Sequence, residues 1–242
     1  MNRLYGRKPV FEAIKAGDEI EQVFIAYGQH GGFIEKIKLA AKKNNIKVSE
    51  VSLAKFKEMA EDKNTQGVIA TLSELNYSSL GELITYSTSQ DEPFLLLLDS
   101  IQDPQNLGAI LRTAECTGVD GVIITTHNSA PITDTAIKTS AGAVSHLKIC
   151  KVNNLANAMS ILKEKGFWIT GTALGGDKSY SDVDYKGPAA IVMGNEENGI
   201  RNLTAKNCDF LVEIPMKGKI QSLNVSVATG VILFEVLRQR GK

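Results

Sequence analysis

Phe94-Leu95-Leu96-Leu97-Leu98-Asp99-Ser100-Ile101-Gln102-Asp103-Pro104-Gln105-Asn106-Leu107-Gly108-Ala109-Ile110-Leu111-Arg112-Thr113-Ala114 is the stretch from which the fold of this chain is read. The apolar run Phe94 to Leu98 suits a strand buried on both faces. A polar turn follows, and from Leu107 a helix is expected, with Asn106 read as its N-cap. The same unit of strand, turn and helix recurs to the end of the chain. Strands are expected at Phe94–Leu98, Gly121–Thr125, Leu147–Lys151, Phe167–Thr172, Ala189–Met193 and Phe210–Ile214. Helices are expected at Leu107–Cys116, Thr133–Lys138, Leu155–Lys165, near Leu203 and at Val225–Gln239. Such alternation predicts an α/β fold, a mostly parallel sheet with helices on both faces. Gly118 and Gly166 fall where helices would end in left-handed backbone.

The first 75 residues read as a separate small α/β unit. It has helices at Pro9–Ala16, Phe33–Lys43 and Leu53–Glu61, and strands at Gln22–Ala26, Ile46–Val51 and Gly67–Leu72. In the second helix Ile34, Ile37, Leu39 and Ala41 are expected to face inward and the lysines outward. Residues 76–93 are polar, with serines at 78, 79, 87 and 89. They are read as a linker holding at most a short helix at Leu80–Tyr86, so that the second domain spans 94–242.

Acidic and basic residues balance at 27 each, so the formal net charge is zero. A nucleic-acid binder of this composition must rely on a local basic surface. Residues 1–75 hold 12 Lys plus Arg against 10 Asp plus Glu, a balance of +2. Arg3, Arg7 and Lys8 cluster at the start. Lys36, Lys38, Lys42 and Lys43 recur at helical spacing, as either a basic patch or a solvated face. Cys116, Cys150 and Cys208 are far apart and lack C-x-x-C spacing, which argues against a disulfide framework or a zinc site. His30, His127 and His146 sit near no cysteine or carboxylate cluster, and no metal is expected. No apolar run approaches the roughly 20 residues of a membrane span. The N-terminus lacks an apolar signal core, so a cytoplasmic protein is expected.

Three further segments place polar or glycine-rich chain beyond the carboxyl end of an apolar strand, where ligands bind in open α/β sheets. Ile191-Val192-Met193-Gly194-Asn195-Glu196-Glu197-Asn198-Gly199 turns through four polar residues between two glycines. Phe210-Leu211-Val212-Glu213-Ile214-Pro215-Met216 ends a strand at a proline. Ser222-Leu223-Asn224-Val225-Ser226 opens the last helix with more hydrogen-bonding capacity than one cap requires, which suggests a ligand at a helix N-terminus. Gly171-Thr172-Ala173-Leu174-Gly175-Gly176 lacks the G-x-G-x-x-G spacing of a dinucleotide loop, and a dehydrogenase is disfavoured.

Together these segments resemble the SpoU group of SPOUT RNA ribose methyltransferases. Asp103-Pro104-Gln105-Asn106-Leu107-Gly108-Ala109 with Arg112 is similar to the group's first motif, and Gly194-Asn195-Glu196 through Gly199 to its second. Ile214-Pro215-Met216 with Ser222-Leu223-Asn224-Val225-Ser226 is similar to the third. Leu4-Tyr5-Gly6-Arg7-Lys8-Pro9-Val10 and Gln66-Gly67-Val68-Ile69-Ala70 resemble the small RNA-binding domain that some members carry in front. Two positions depart from the pattern: Glu197 stands where glycine is usual, and Thr65 where histidine often stands.

The resemblance implies S-adenosylmethionine-dependent methylation of a ribose 2′-hydroxyl. The group's members that act on a guanosine of 23S ribosomal RNA are the most similar. Transfer RNA is the alternative substrate, and a catalytically inactive RNA-binding or ribosome-assembly protein the alternative class. By the same resemblance the catalytic residues are Asn106, Arg112, Glu196, Ser222 and Asn224. Donor contacts are expected from Thr172, Ala173, Gly194, Ile214, Met216 and Leu223, and RNA contacts from Arg7, Lys8 and Arg112. A C-terminal trefoil knot and a homodimer are implied as well. Asn106 and Arg112 are six residues apart, about 240° around a helix. They share a site only if Asn106 precedes the helix or if the site lies between protomers. Val231, Leu233, Phe234 and Leu237 are the expected apolar contribution to such an interface.

Overall fold

The computed structural model describes residues 3–18, 20–60, 63–72, 77–195, 198–219 and 222–241. The chain divides into two compact units, 1–76 and 77–242.

The first unit comprises β1 (Arg3–Tyr5), α1 (Arg7–Ala16), β2 (Ile20–Ala26), α2 (Gly32–Lys43), β3 (Lys47–Val51), α3 (Leu53–Ala60) and β4 (Val68–Leu72). Its sheet runs β1-β4-β2-β3, with β4 antiparallel to both neighbours and β2 parallel to β3. Side chains alternate between faces along a strand, so the sheet has two cores. Val23, Ile25, Val68 and Ala70 pack with Val10, Ile14, Ile34 and Ile37 of α1 and α2. Ala26 and Ile69 pack with Phe56 and Ala60 of α3. Leu39, expected inward, is instead 71% exposed. It lies two residues beyond Ile37, about 200° around the helix, and points to the opposite side. The lysine row is partly neutralised, since Lys38 pairs with Glu50 at 2.9 Å and Glu35 at 3.6 Å.

The second unit begins with α4 (Leu80–Thr88), β5 (Phe94–Asp99), α5 (Pro104–Cys116), β6 (Gly121–Thr125) and α6 (Asp134–Thr139). After a 3-10 turn at Ala143–Ser145 come β7 (Lys148–Val152), α7 (Leu155–Glu164), β8 (Trp168–Thr172) and β9 (Lys178–Ser179). β10 (Ala189–Gly194), α8 (Asn202–Lys206), β11 (Phe210–Glu213) and α9 (Val225–Gln239) complete it. The strand order is β7-β6-β5-β10-β8-β11-β9, and every pairing is parallel. Leu83, Ile84, Leu155, Met159 and Leu162 cover one face, packing on Leu95, Leu97, Ile123, Ile169 and Val192. Leu96, Leu98, Val122, Ile124 and Ile191 alternate to the other face and are equally buried. There α9 lies against β10 and α5, and α5 against α6. Each leucine so buried contributes about 1.5–3 kcal/mol.

Residues 77–88 are part of this unit and not a linker. Ser78 bridges to Cys150 beside β7. Ser79 and Glu82 form a capping box at the start of α4, a reciprocal pairing that satisfies two backbone donors. Leu83, Ile84 and Ser87 are buried. The serines that read as linker are a helix cap and a buried donor: Ser87 Oγ donates to Asp120 at 2.6 Å.

Asn106 is not the N-cap of α5. Asp103 holds that place, its carboxylate accepting from the Gln105 N–H at 2.9 Å, with Pro104 in the first turn. Proline fits there because its missing N–H is one that a helix start leaves unpaired anyway. Asn106 therefore lies inside the helix. Two residues on, a Cβ on Gly108 would come within 2.6 Å of the Ala136 carbonyl. Glycine there lets α5 and α6 touch.

Candidate active site

The strands β8, β10 and β11 end side by side, and a cavity of about 310 Å³ opens beyond their carboxyl ends. Thr172 and Ala173 border it from β8, Gly194 from β10, and Ile214 and Met216 from the segment after β11. Ser222 and Leu223, just before α9, close a further side. All six residues expected to contact a donor, and one of the five expected catalytic residues, thus line a single cavity. Asn195, Asn198 and Gly199, in the segment similar to the second motif but with no contact assigned to them from the sequence, also line it.

Gly194, at the end of β10, and Asn195 and Gly199 after it are closely held. A Cβ on Gly194 would sit 2.1 Å from the Gly199 carbonyl carbon and 2.2 Å from the Ile200 nitrogen, so only glycine fits. Asn195 and Gly199 exchange two backbone hydrogen bonds, of 3.0 and 2.9 Å. The Asn195 amide donates to the Ser100 carbonyl at 3.1 Å, which ties the turn to the loop after β5. Ser100 itself has φ +67°, a left-handed conformation that non-glycine residues hold only when their surroundings over-determine it.

Asp99, adjacent in the chain, is the buried charge of this region. It is 0% exposed, and Arg201 is its main partner, with the Ser100 hydroxyl donating to Oδ1 at 3.4 Å. The Arg201 side chain donates through Nε at 2.7 Å and pairs through Nη2 at 2.6 Å, both to Oδ1. The Arg201 backbone N–H donates to Oδ2 at 2.9 Å. A fork on one oxygen and a backbone donor on the other fix Arg201, where the segment after β10 ends, to the end of β5. Asp99 and Arg201 also went unremarked in the sequence. A carboxylate ending an apolar strand was the available signal.

Asn224 is the N-cap of α9. Its Oδ1 accepts from Ser226 N at 2.9 Å and Ser226 Oγ at 2.6 Å. That orientation turns Nδ2 toward α5, where it donates to Asn106 Oδ1 at 3.0 Å. The structure therefore joins Asn106 to Asn224. Arg112 stays apart: it is exposed on the same helix as Asn106, about 240° away, and is not among the cavity-lining residues. Glu196 and Glu197 lie outside the described residues. In the first unit Arg7 donates to the Gln66 carbonyl at 2.9 Å and to Gln29 Oε1 at 2.5 Å, while Lys8 is exposed.

Among the described residues no group of His, Cys, Asp and Glu is arranged to hold a metal ion. No helix among them is long and apolar enough to cross a membrane. Burial pushes the Cys150 thiol up to about 11 and the Cys208 thiol up to about 12. Neither is a thiolate near neutral pH, so neither is a nucleophile there.

The model of the SpoU rRNA Methylase family matches residues 93–234. The chain belongs to this family. A second model, RNA 2′-O ribose methyltransferase substrate binding, matches residues 3–78. The chain is 38% identical over 243 residues to an uncharacterised tRNA/rRNA methyltransferase of Synechocystis, covering all of this chain but only 63% of that longer protein. It is 41% identical over 224 residues to the 23S rRNA (guanosine-2′-O-)-methyltransferase RlmB of Pseudomonas aeruginosa, covering 91% of this chain and 89% of the relative. The crystal structure of an AdoMet-bound rRNA methyltransferase from Sinorhizobium meliloti superposes with a TM-score of 0.62 at 27% identity, covering 98% and 86% of the two chains. As a member of the SpoU family the chain is an RNA 2′-O-methyltransferase that uses S-adenosylmethionine.

The cavity fits that donor. Among its described lining residues none carries a charge, so a sulfonium cation meets no repelling ammonium or guanidinium. Ile214, Met216, Leu223 and Val225 offer apolar surface to an adenine ring, and the closely apposed backbone at Gly194 and Gly199 offers polar groups without side-chain bulk. The volume lies at the lower end of the range for small-molecule sites, roughly 300–1,000 Å³.

Proposed function

We propose that the chain methylates the ribose 2′-hydroxyl of a guanosine in 23S ribosomal RNA, in the cytoplasm, as a homodimer. The observation that carries this reading is the cavity at the ends of β8, β10 and β11, uncharged among its described lining residues and flanked by the Asn224–Asn106 bridge. The ribosomal assignment draws support from the relative in Pseudomonas aeruginosa, which aligns with front and catalytic units alike.

Thr172, Ala173, Gly194, Ile214, Met216 and Leu223 hold the donor, which supplies an activated methyl group when bound. Ser222, Asn224, Asn106 and Glu196 surround the hydroxyl. A guanidinium holds its proton too tightly to serve as a base, and the planar fork of Arg112 suits a phosphate. It grips the RNA backbone and orients the ribose. Because Arg112 diverges from Asn106 around α5, it serves the site of the partner protomer. Val227 and Phe234, 52% and 53% exposed on α9, supply the interface; Leu233, expected there, is fully buried in its own core. The trefoil knot belongs to this reading too, supported by β10 lying between the earlier strands β5 and β8. The front unit binds the RNA, with Arg7 and Lys8 among its contacts.

Methyl transfer from tritiated S-adenosylmethionine to 23S rRNA and to tRNA transcripts, followed by nucleoside analysis, tests the reading. It expects 2′-O-methylguanosine in 23S rRNA alone. Label in tRNA alone would move the substrate, and donor binding without transfer to either RNA would make this an RNA-binding protein. Arg112→Ala is expected to lower turnover by at least a hundredfold with donor affinity unchanged. Mixed with Asn224→Ala protomers, it is expected to regain part of the activity.

A further inference from the structure

The loops at one end of the first unit's sheet converge. β4 runs antiparallel to β1 and β2, so the segments after β1 and β2 and the segment before β4 meet there. Hydrogen bonds confirm the meeting: Arg7 reaches both Gln66 and Gln29, and a Cβ on Gly67 would lie 2.5 Å from Gln29 Cδ. Tyr27 sits at the tip of a β-turn closed by the Gln29 N–H on the Ala26 carbonyl at 3.2 Å, with Gly28 at φ +83°. The Tyr27 N–H is pinned to Val51 O at 2.8 Å. Its ring is nevertheless 71% exposed, and Leu53, 57% exposed, stands two residues beyond Val51.

A tyrosine held out from a turn offers a flat apolar face with a polar tip to a partner. The same cluster of loops carries Arg7, whose guanidinium is oriented by two acceptors, and the exposed Lys8. An exposed aromatic ring and two cations on one cluster of loops match the chemistry of an unpaired nucleotide, base to ring and phosphate to cation. The other basic surface of this unit, on α2, is less suited, because Lys38 is neutralised by Glu50 and Glu35.

We propose that the loop cluster Arg7, Lys8, Tyr27 and Gln29 docks a single-stranded segment of the RNA substrate, with one unpaired base stacked on Tyr27 and the adjoining phosphates on Arg7 and Lys8. The inference rests on the RNA-methylating function proposed above and places the unpaired strand on this end of the front unit. The full-length protein is titrated with a fluorescent hairpin RNA carrying an unpaired loop and with a perfect duplex of the same length, at several salt concentrations. Tyr27→Ala is expected to weaken hairpin binding about tenfold, to leave duplex binding alone and to keep the salt slope. Tyr27→Phe is expected to bind as wild type does, and Lys8→Ala to lower the salt slope by about 1. Leu39→Ala, exposed on α2, serves as the surface control, and amide hydrogen exchange in residues 3–72 checks that the front unit of every variant is folded. Equal hairpin affinity for wild type and folded Tyr27→Ala overturns the inference while leaving the proposed function standing. Failure of the wild type to bind either RNA overturns both.

Discussion

The two ends of the seven-stranded sheet differ in how they use their polar groups. At the amino end, Arg240 donates to the carbonyls of Glu92 at 2.7 Å, Gly187 at 2.8 Å, Tyr185 at 3.1 Å and Pro93 at 3.3 Å, and its guanidinium lies 4.9 Å from the centre of the Phe94 ring. Asp120 accepts from Phe94 N at 2.7 Å and Ser87 Oγ at 2.6 Å. Loops there bind one another. At the carboxyl end, the Asp99–Arg201 pair anchors a segment whose residues Gly194, Asn195, Asn198 and Gly199 border an open cavity with no charge among its described lining residues. The same strands thus carry a stabilising end and a binding end. An ion pair at the carboxyl end fixes a segment that borders the proposed donor cavity.

The largest test of that contrast is Arg201→Ala. It removes the guanidinium from the fully buried Asp99 carboxylate, which keeps the backbone N–H of residue 201 and the Ser100 hydroxyl, an expected loss of about 3–5 kcal/mol. Urea unfolding measures the loss, and donor affinity is expected to fall with it because the 194–201 turn is released. An unchanged midpoint would break the account of this end. Arg240→Ala sharpens the comparison from the other side. Losing an arginine that serves four carbonyls is expected to cost about 2–3 kcal/mol, with donor affinity of the folded protein unaltered. A fall in donor affinity without loss of stability would erase the distinction between the ends. Asn224 joins both roles on a smaller scale. Asn224→Ala removes the cap of α9, about 1 kcal/mol, and is expected to lower turnover far more than stability. Asn224→Asp keeps an oxygen for the cap, so its unfolding midpoint should stay near that of wild type while turnover falls.

The contrast also explains what the sequence disclosed. Strand and helix alternation from Phe94 onward was legible because each strand is apolar on both faces and each helix on one. Short pieces such as β1 and β9 carry no period and went unseen. Residues 76–93 misled because serines were read by composition alone, although Ser79 with Glu82 has the S-x-x-E spacing of a capping box. Asp103-Pro104 likewise announced the start of α5 better than Asn106 did. At the site, the residues that line the cavity follow strand ends and were found by motif. Asp99 and Arg201 are 102 positions apart, and no local pattern links them. Tyr27 reads as one more aromatic until its exposure is known.

Donor titration of wild type beside Leu223→Arg tests the central claim most directly. Leu223 borders the cavity and is 37% exposed, so an arginine there has room and leaves the fold intact while placing a cation beside the sulfonium. Calorimetry with S-adenosylmethionine, chelator present, is expected to show one site per chain in the wild type and a loss of at least tenfold in affinity in the variant. Equal affinity in the two proteins, both shown folded by thermal unfolding, would contradict the assignment of this cavity to the methyl donor.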